Sequence, residues 1–160
     1  MLRLIAALGI ASTLFLSGCA ALVVGGATTG AVVANDRRPT EVVLGDERVE
    51  LTANTRLGKV FGDNVHINVT SFNYTVLLTG EVPDAAAKEQ AGKVASEVER
   101  VKGVVNELQV AGISTLGARG NDTYLTGRVK AAFVTAQKFS ATHVKVVTEA
   151  GVVYLMGLVT

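Results

Sequence analysis

The chain has 160 residues with 15 basic and 14 acidic side chains, a near balance, and no nucleic-acid partner is expected of it. A single cysteine excludes an intrachain disulfide and a thiol metal site, so the fold must rest on its core. Beyond the N-terminal segment no apolar run approaches the roughly 20 residues of a bilayer span, which excludes a membrane bundle.

The first 18 residues have the parts of an export signal: Arg3, an apolar run from Leu4 to Leu16, and small residues at the cut. Leu16-Ser17-Gly18-Cys19 reads as a lipobox, the signature of a bacterial lipoprotein. Removal of residues 1–18 would leave Cys19 as an acylated N-terminus, carrying fatty acid such as palmitate, and this covalent lipid is the one non-protein group expected. Residue 20 is Ala rather than Asp, and in lipoprotein families that difference implies transport to the outer membrane.

Residues 19–45, rich in small side chains and without a hydrophobic period, are expected to form a flexible tether. Past the signal, charge is unevenly spread. Cys19 to Ala111 holds nine basic and twelve acidic residues, whereas Gly112 to Thr160 holds five and two, so the second half suits an anionic surface.

An internal repeat organises the rest. His66 to Val82 aligns without a gap on His143 to Val159 at an offset of 77, each a hairpin with an alternating arm, a turn and a more apolar arm. The turns fall at Phe72-Asn73-Tyr74 and Glu149-Ala150-Gly151. Gly80 and Gly157 are expected to serve backbone geometry. Upstream, Asp46 and Asp122 occupy matching positions and are expected to cap two helices, with stripes Val49, Ala53, Leu57, Val60 and Leu125, Val129, Phe133, Ala136.

The first copy continues. Asp84 caps a second helix with the stripe Ala87, Ala91, Val94, Ala95, Val98 and Val101, Gly103 ends it, and Val104 to Val110 is a third strand. The expected class is α+β: helix, strand, strand, helix, strand (αββαβ), a mixed three-stranded sheet packed on two helices. The boundaries are 46–111 for the first domain, 112–120 for a linker and 121–160 for a partial second copy (αββ). That partial copy would leave Val144, Val146, Val153 and Leu155 without a covering helix, so it is expected to need docking to the first domain or a partner.

Val76-Leu-Leu-Thr-Gly-Glu-Val-Pro-Asp, a helix, and then Val101-Lys-Gly-Val-Val-Asn-Glu-Leu-Gln-Val resemble the core of a BON domain. Two such cores behind a lipobox are similar to the dual-BON outer-membrane lipoproteins of the DolP (YraP) type found in Gram-negative bacteria. The likeness extends to Gly120-Asn-Asp-Thr-Tyr-Leu-Thr-Gly-Arg-Val-Lys and to Val146 through Thr160. It implies a non-enzymatic protein, lipid-anchored in the outer membrane and facing the periplasm, that binds anionic phospholipid, phosphatidylglycerol in particular, and supports envelope integrity.

No catalytic constellation or metal motif emerges from the residues. His66 and His143 stand at equivalent repeat positions, which favours a duplicated structural role. The helix opening the second copy is the candidate site: Tyr124, Arg128, Ala131, Val134 and Lys138 share a face, with Lys130 nearby. On the residues alone this face suits both anionic headgroups and plain solvent. The resemblance favours lipid, Tyr124 standing where the family has an aromatic and Val134 where it has a bulkier aliphatic. A scaffold reading also stands, in which exposed sheet surface binds an envelope protein or a second copy of the chain.

Overall fold

A computed structural model describes residues 38–137 and 141–158 of the chain. The signal, Cys19, the earlier part of the tether and Lys138 lie outside the described residues.

Helix α1 (Thr40–Phe61) follows Pro39, whose carbonyl accepts from the amides of Val42 and Val43. Residues 40–45 are therefore helical and not tether, because the apolar period already begins at Val42 and Val43. Val43, Val49, Ala53 and Leu57 form the buried stripe, but Val60 turns outward at 45% exposure and Phe61 packs against the core instead. Glu41 in the first turn and Lys59 in the last complement the helix dipole, and Gly62 at φ 58° ends it.

Strands β1 (His66–Phe72) and β2 (Thr75–Val82) pair antiparallel from His66 opposite Glu81 to Phe72 opposite Thr75. Asn73 and Tyr74 close the hairpin with φ of 53° and 65°, the backbone of a two-residue type I′ turn. Tyrosine is a poor choice for that region, at a cost of about 1–2 kcal/mol. Several interactions offset it. Asp46 accepts from both turn amides, the Lys102 amide donates to the Tyr74 carbonyl at 2.8 Å, and the cations of Arg100 and Lys102 lie 4.8 and 5.1 Å from the ring centroid.

Asp46 thus does not cap α1. It lies within the helix, 3% exposed, and also accepts from Ser71 Oγ at 2.7 Å and from Arg38 at 2.5 Å. Arg38 stacks 4.0 Å from the Phe72 ring centroid, so this part of the supposed tether is also docked.

Helix α2 (Ala85–Ser96) is capped as expected, Asp84 accepting from the Ala87 amide at 2.7 Å. It ends at Ser96, seven residues before Gly103, which instead opens a strand. Buried Ala87, Ala91 and Ala95 let the helix lie close on the sheet. The third strand runs parallel to β2 in two pieces, β3 (Gly103–Asn106) and β4 (Gln109–Val110), with the register unchanged. Between them Asn106 turns inward, donating to the Lys88 carbonyl and accepting from the Leu108 amide, while Leu108 enters the core at 1% exposure. The result is the expected mixed sheet, ordered β1, β2, β3, on two helices.

Helix α3 (Leu116–Ala136) follows the Thr115 cap and begins six residues before Asp122, so part of the expected linker is helix. Asp122 is buried within it and accepts from the Ala150 and Gly151 amides at 3.0 and 2.9 Å. Those residues, at φ 50° and 76°, form a second type I′ turn between β5 (Val144–Glu149) and β6 (Val152–Gly157). Leu125, Val129 and Phe133 are half-buried, whereas Ala136 is exposed. Val144 and Val146 are covered, at 9% and 6% exposure, while Val153 and Leu155 remain at 37% and 55%. No helix of the described residues is long and apolar enough to cross a membrane.

Candidate functional site

The outer face of α3 is left free because its inner residues turn toward the hairpin, tied there by Thr126 Oγ1 donating to Thr148 Oγ1 at 2.7 Å. Tyr124 and Val134 are 62% and 63% exposed, and Arg128, Lys130 and Ala131 are exposed with them. Arg128 sits 5.9 Å from the Tyr124 ring centroid, the outer limit of a cation–π contact. Asp122, the helix's one acid, points inward and spends both oxygens on the turn. Among the described residues no carboxylate pairs with Arg128 or Lys130, so the face presents unneutralised positive charge beside apolar and aromatic tips.

A second constellation was not expected. His66 and Glu81 stand opposite one another in the β1–β2 ladder, and Nδ1 of His66 lies 3.0 Å from Glu81 Oε2. Glu149, at the end of β5, approaches the same nitrogen at 3.8 Å through Oε1. Both carboxylate side chains are over nine-tenths buried, at 4% and 6% exposure, whereas the imidazole is 18% exposed. Asn68 Nδ2 donates to Glu149 Oε2 at 2.6 Å and the Ser114 amide to Glu81 Oε2 at 3.2 Å.

These bonds also tie the second hairpin to the first sheet, aided by Lys145, which donates to Glu50 at 2.5 Å and reaches the Ser71 carbonyl at 3.3 Å. Burial first, and then the negative charges of Glu107 and Glu149, push the Tyr154 phenol above its ordinary range. A cleft of about 260 Å³ opens beside the cluster, lined by His66, Asn68, Arg119, Asp122, Thr123, Thr126, Thr148 and Glu149.

The two histidines are equivalent in sequence but not in surroundings. His143 Nδ1 is buried with no hydrogen-bond partner among the described residues, and no acid stands against it. The difference was legible: at the offset of 77, Leu158 stands where Glu81 does and Phe72 where Glu149 does.

The BON domain matches residues 46–112 and again 121–160, the two segments that carry the two hairpins. The chain belongs to the BON-domain family. Its similarity to the outer membrane lipoprotein DolP of Haemophilus influenzae is 37% identity over 93% of this chain and 78% of that protein. A 21 kDa hemolysin of Actinobacillus pleuropneumoniae is 32% identical over 76% of this chain and 64% of its own length. The osmotically-inducible protein Y of Escherichia coli is 35% identical, over 68% and 57% respectively. This BON protein is an outer-membrane lipoprotein and not an enzyme.

Proposed function

We propose that the BON units bind anionic phospholipid such as phosphatidylglycerol through the outer face of α3, while an acyl lipid on Cys19 holds the chain on the periplasmic face of the outer membrane, and that this attachment supports envelope integrity. The observation that carries the reading is the exposure of Tyr124 and Val134 beside Arg128 and Lys130 with no outward acid. Cations at that depth find phosphate while the ring and the aliphatic tip pass into the boundary below it. Because the acyl anchor supplies membrane residence, the tether raises the local concentration of the helix, which need only discriminate lipid composition. Ala131, exposed on the same face, keeps the surface between the two apolar tips low.

The test is vesicle co-sedimentation of delipidated protein. Tyr124→Ala combined with Arg128→Glu is expected to abolish binding to phosphatidylglycerol vesicles and to leave the absence of binding to phosphatidylcholine unchanged. Equal co-sedimentation of the double variant and the parent would remove α3 from the lipid site.

The scaffold reading keeps one observation in its favour: Val153 and Leu155 project from the same face of β6 at 37% and 55% exposure, with Leu158 at 49%. Capture of one envelope protein, or of a second copy, that is lost in Leu155→Lys and insensitive to lipid would favour it.

A further inference from the structure

We infer that His66, Glu81 and Glu149 form a site for a borderline divalent cation of the zinc class, one that clamps the second BON hairpin to the first BON sheet. The three offer one ligand atom each, all within 4.8 Å of one another. Bonds of 2.0–2.1 Å in a tetrahedral site place neighbouring ligand atoms about 3.4 Å apart. The observed 3.0 and 3.8 Å from Nδ1 to the two carboxylates straddle that spacing, so small rotations of two glutamate side chains complete it.

The chemistry of the donor set points the same way. Two carboxylates more than nine-tenths buried converge on one imidazole, and Nδ1 carries at most one proton for two anions. Gathering two negative charges out of water is costly unless a cation is shared between them. Arg119 is the cation lining the cleft, but its Nε and Nη2 donate to Ser114 Oγ and the Ser114 carbonyl, and it makes no ion pair with either glutamate among the described residues. Lys145 is committed to Glu50. A divalent ion held by neutral imidazole and two carboxylates leaves the site neutral.

The supporting groups are also in place. Asn68 orients Glu149 and the Ser114 amide orients Glu81, the outer hydrogen bonds that ligating carboxylates need. The cleft beside His66 gives an ion a way in and room for water in an open coordination position. One imidazole nitrogen with two oxygens favours Zn²⁺ over Mg²⁺, which prefers an all-oxygen, octahedral shell. Because His66 and Glu81 come from the first repeat and Glu149 from the second, metal binding and docking of the hairpin are one equilibrium.

The experiment is calorimetric titration of the chelator-stripped full chain, in detergent micelles, with Zn²⁺ alone and then with Mg²⁺. One Zn²⁺ per chain, unaffected by excess Mg²⁺ and accompanied by a rise in thermal midpoint, is the expected result. Loss of an outer-shell partner weakens metal sites about 10–100-fold, so His66→Ala and Glu149→Gln, each losing a ligand, should weaken binding at least ~100-fold. Glu149→Gln keeps an acceptor for Asn68 and so remains folded if His66→Ala does not, with Glu47→Gln as an exposed control. Weak binding at several equivalents per chain, or affinity unchanged in both variants, would overturn the assignment. A docking contact that depends on His66 and Glu149 but not on Zn²⁺ would show a plain ion-pair latch, and overturns it equally.

Discussion

Asp46 and Asp122 perform one task twice: each reaches from the middle of a helix to the two amides of a hairpin turn, Oδ2 taking the first and Oδ1 the second. The likeness extends to the individual oxygens. The two sites differ in what else each carboxylate holds, since Asp46 also takes Ser71 Oγ and Arg38 whereas the bonds described for Asp122 are those to the turn. Asp46→Ala is therefore expected to destabilise the first unit by about 3–5 kcal/mol, the cost of breaking a buried, hydrogen-bonded charge pair. Asp122→Ala should cost about 1–3 kcal/mol, felt in the second unit. Denaturant titration of each variant measures the pair, and equal losses would contradict the ranking.

Gly80 and Gly157 occupy matching ladder positions opposite Ile67 and Val144, and a side chain on either meets the carbonyl oxygen of the residue just before that partner, His66 or His143. At Gly80 the backbone adds a second obstacle, φ of 115°, which L residues rarely adopt. At Gly157 the obstacle is contact alone, a Cβ 2.7 Å from the His143 oxygen. Gly80→Ala should then lose the dispersed amide spectrum of a folded first unit. Gly157→Ala should keep that spectrum and disturb resonances of β5 and β6 only.

The bridges between the repeats differ in burial, and so should their energies. Asn68→Ala removes the donor at 2.6 Å from a carboxylate that is 6% exposed, a loss of about 1–3 kcal/mol. Lys145→Ala breaks a pair whose side chains are 40% and 25% exposed, for which about 0–1 kcal/mol is typical. Limited proteolysis should cut the β5–β6 hairpin faster in Asn68→Ala than in the parent, with Lys145→Ala close to the parent.

On the outer face of α3, Lys130→Gln removes one charge without touching the Tyr124–Arg128 pair. A base near an anionic surface contributes about 1 kcal/mol, so affinity for phosphatidylglycerol vesicles should fall about five-fold at low salt. At high ionic strength the parent and the variant should converge, because screening removes the term that separates them. Co-sedimentation at two salt concentrations reads both.

What the sequence made legible was what repeats and alternates. The hairpin at Asn73-Tyr74, its copy at Ala150-Gly151, the Asp84 cap and the parallel third strand all have local signatures, and all were found where expected. Asp46 and Asp122 were assigned to the wrong free amides. A cap rule looks within a few residues, while the amides that needed an acceptor lay 27 to 29 positions away. Gly103 was taken for a helix stop because nothing in Val98 and Val101, both facing the core, reveals that the helix has already ended at Ser96. The His66 cluster escaped for a different reason. Symmetry suggested that its histidine matched His143, and the informative residues were those that break the symmetry, Glu81 and Glu149.

The reach of Asp46 and Asp122 also bears on how the chain acquires its shape. Each helix is clasped to its hairpin across fewer than 30 intervening positions, so the loop that must close is short. A polypeptide emerging N-terminus first from an export channel can set its first helix and hairpin before the second has crossed, and only the junction at Asn68, Lys145 and Glu149 must wait for both.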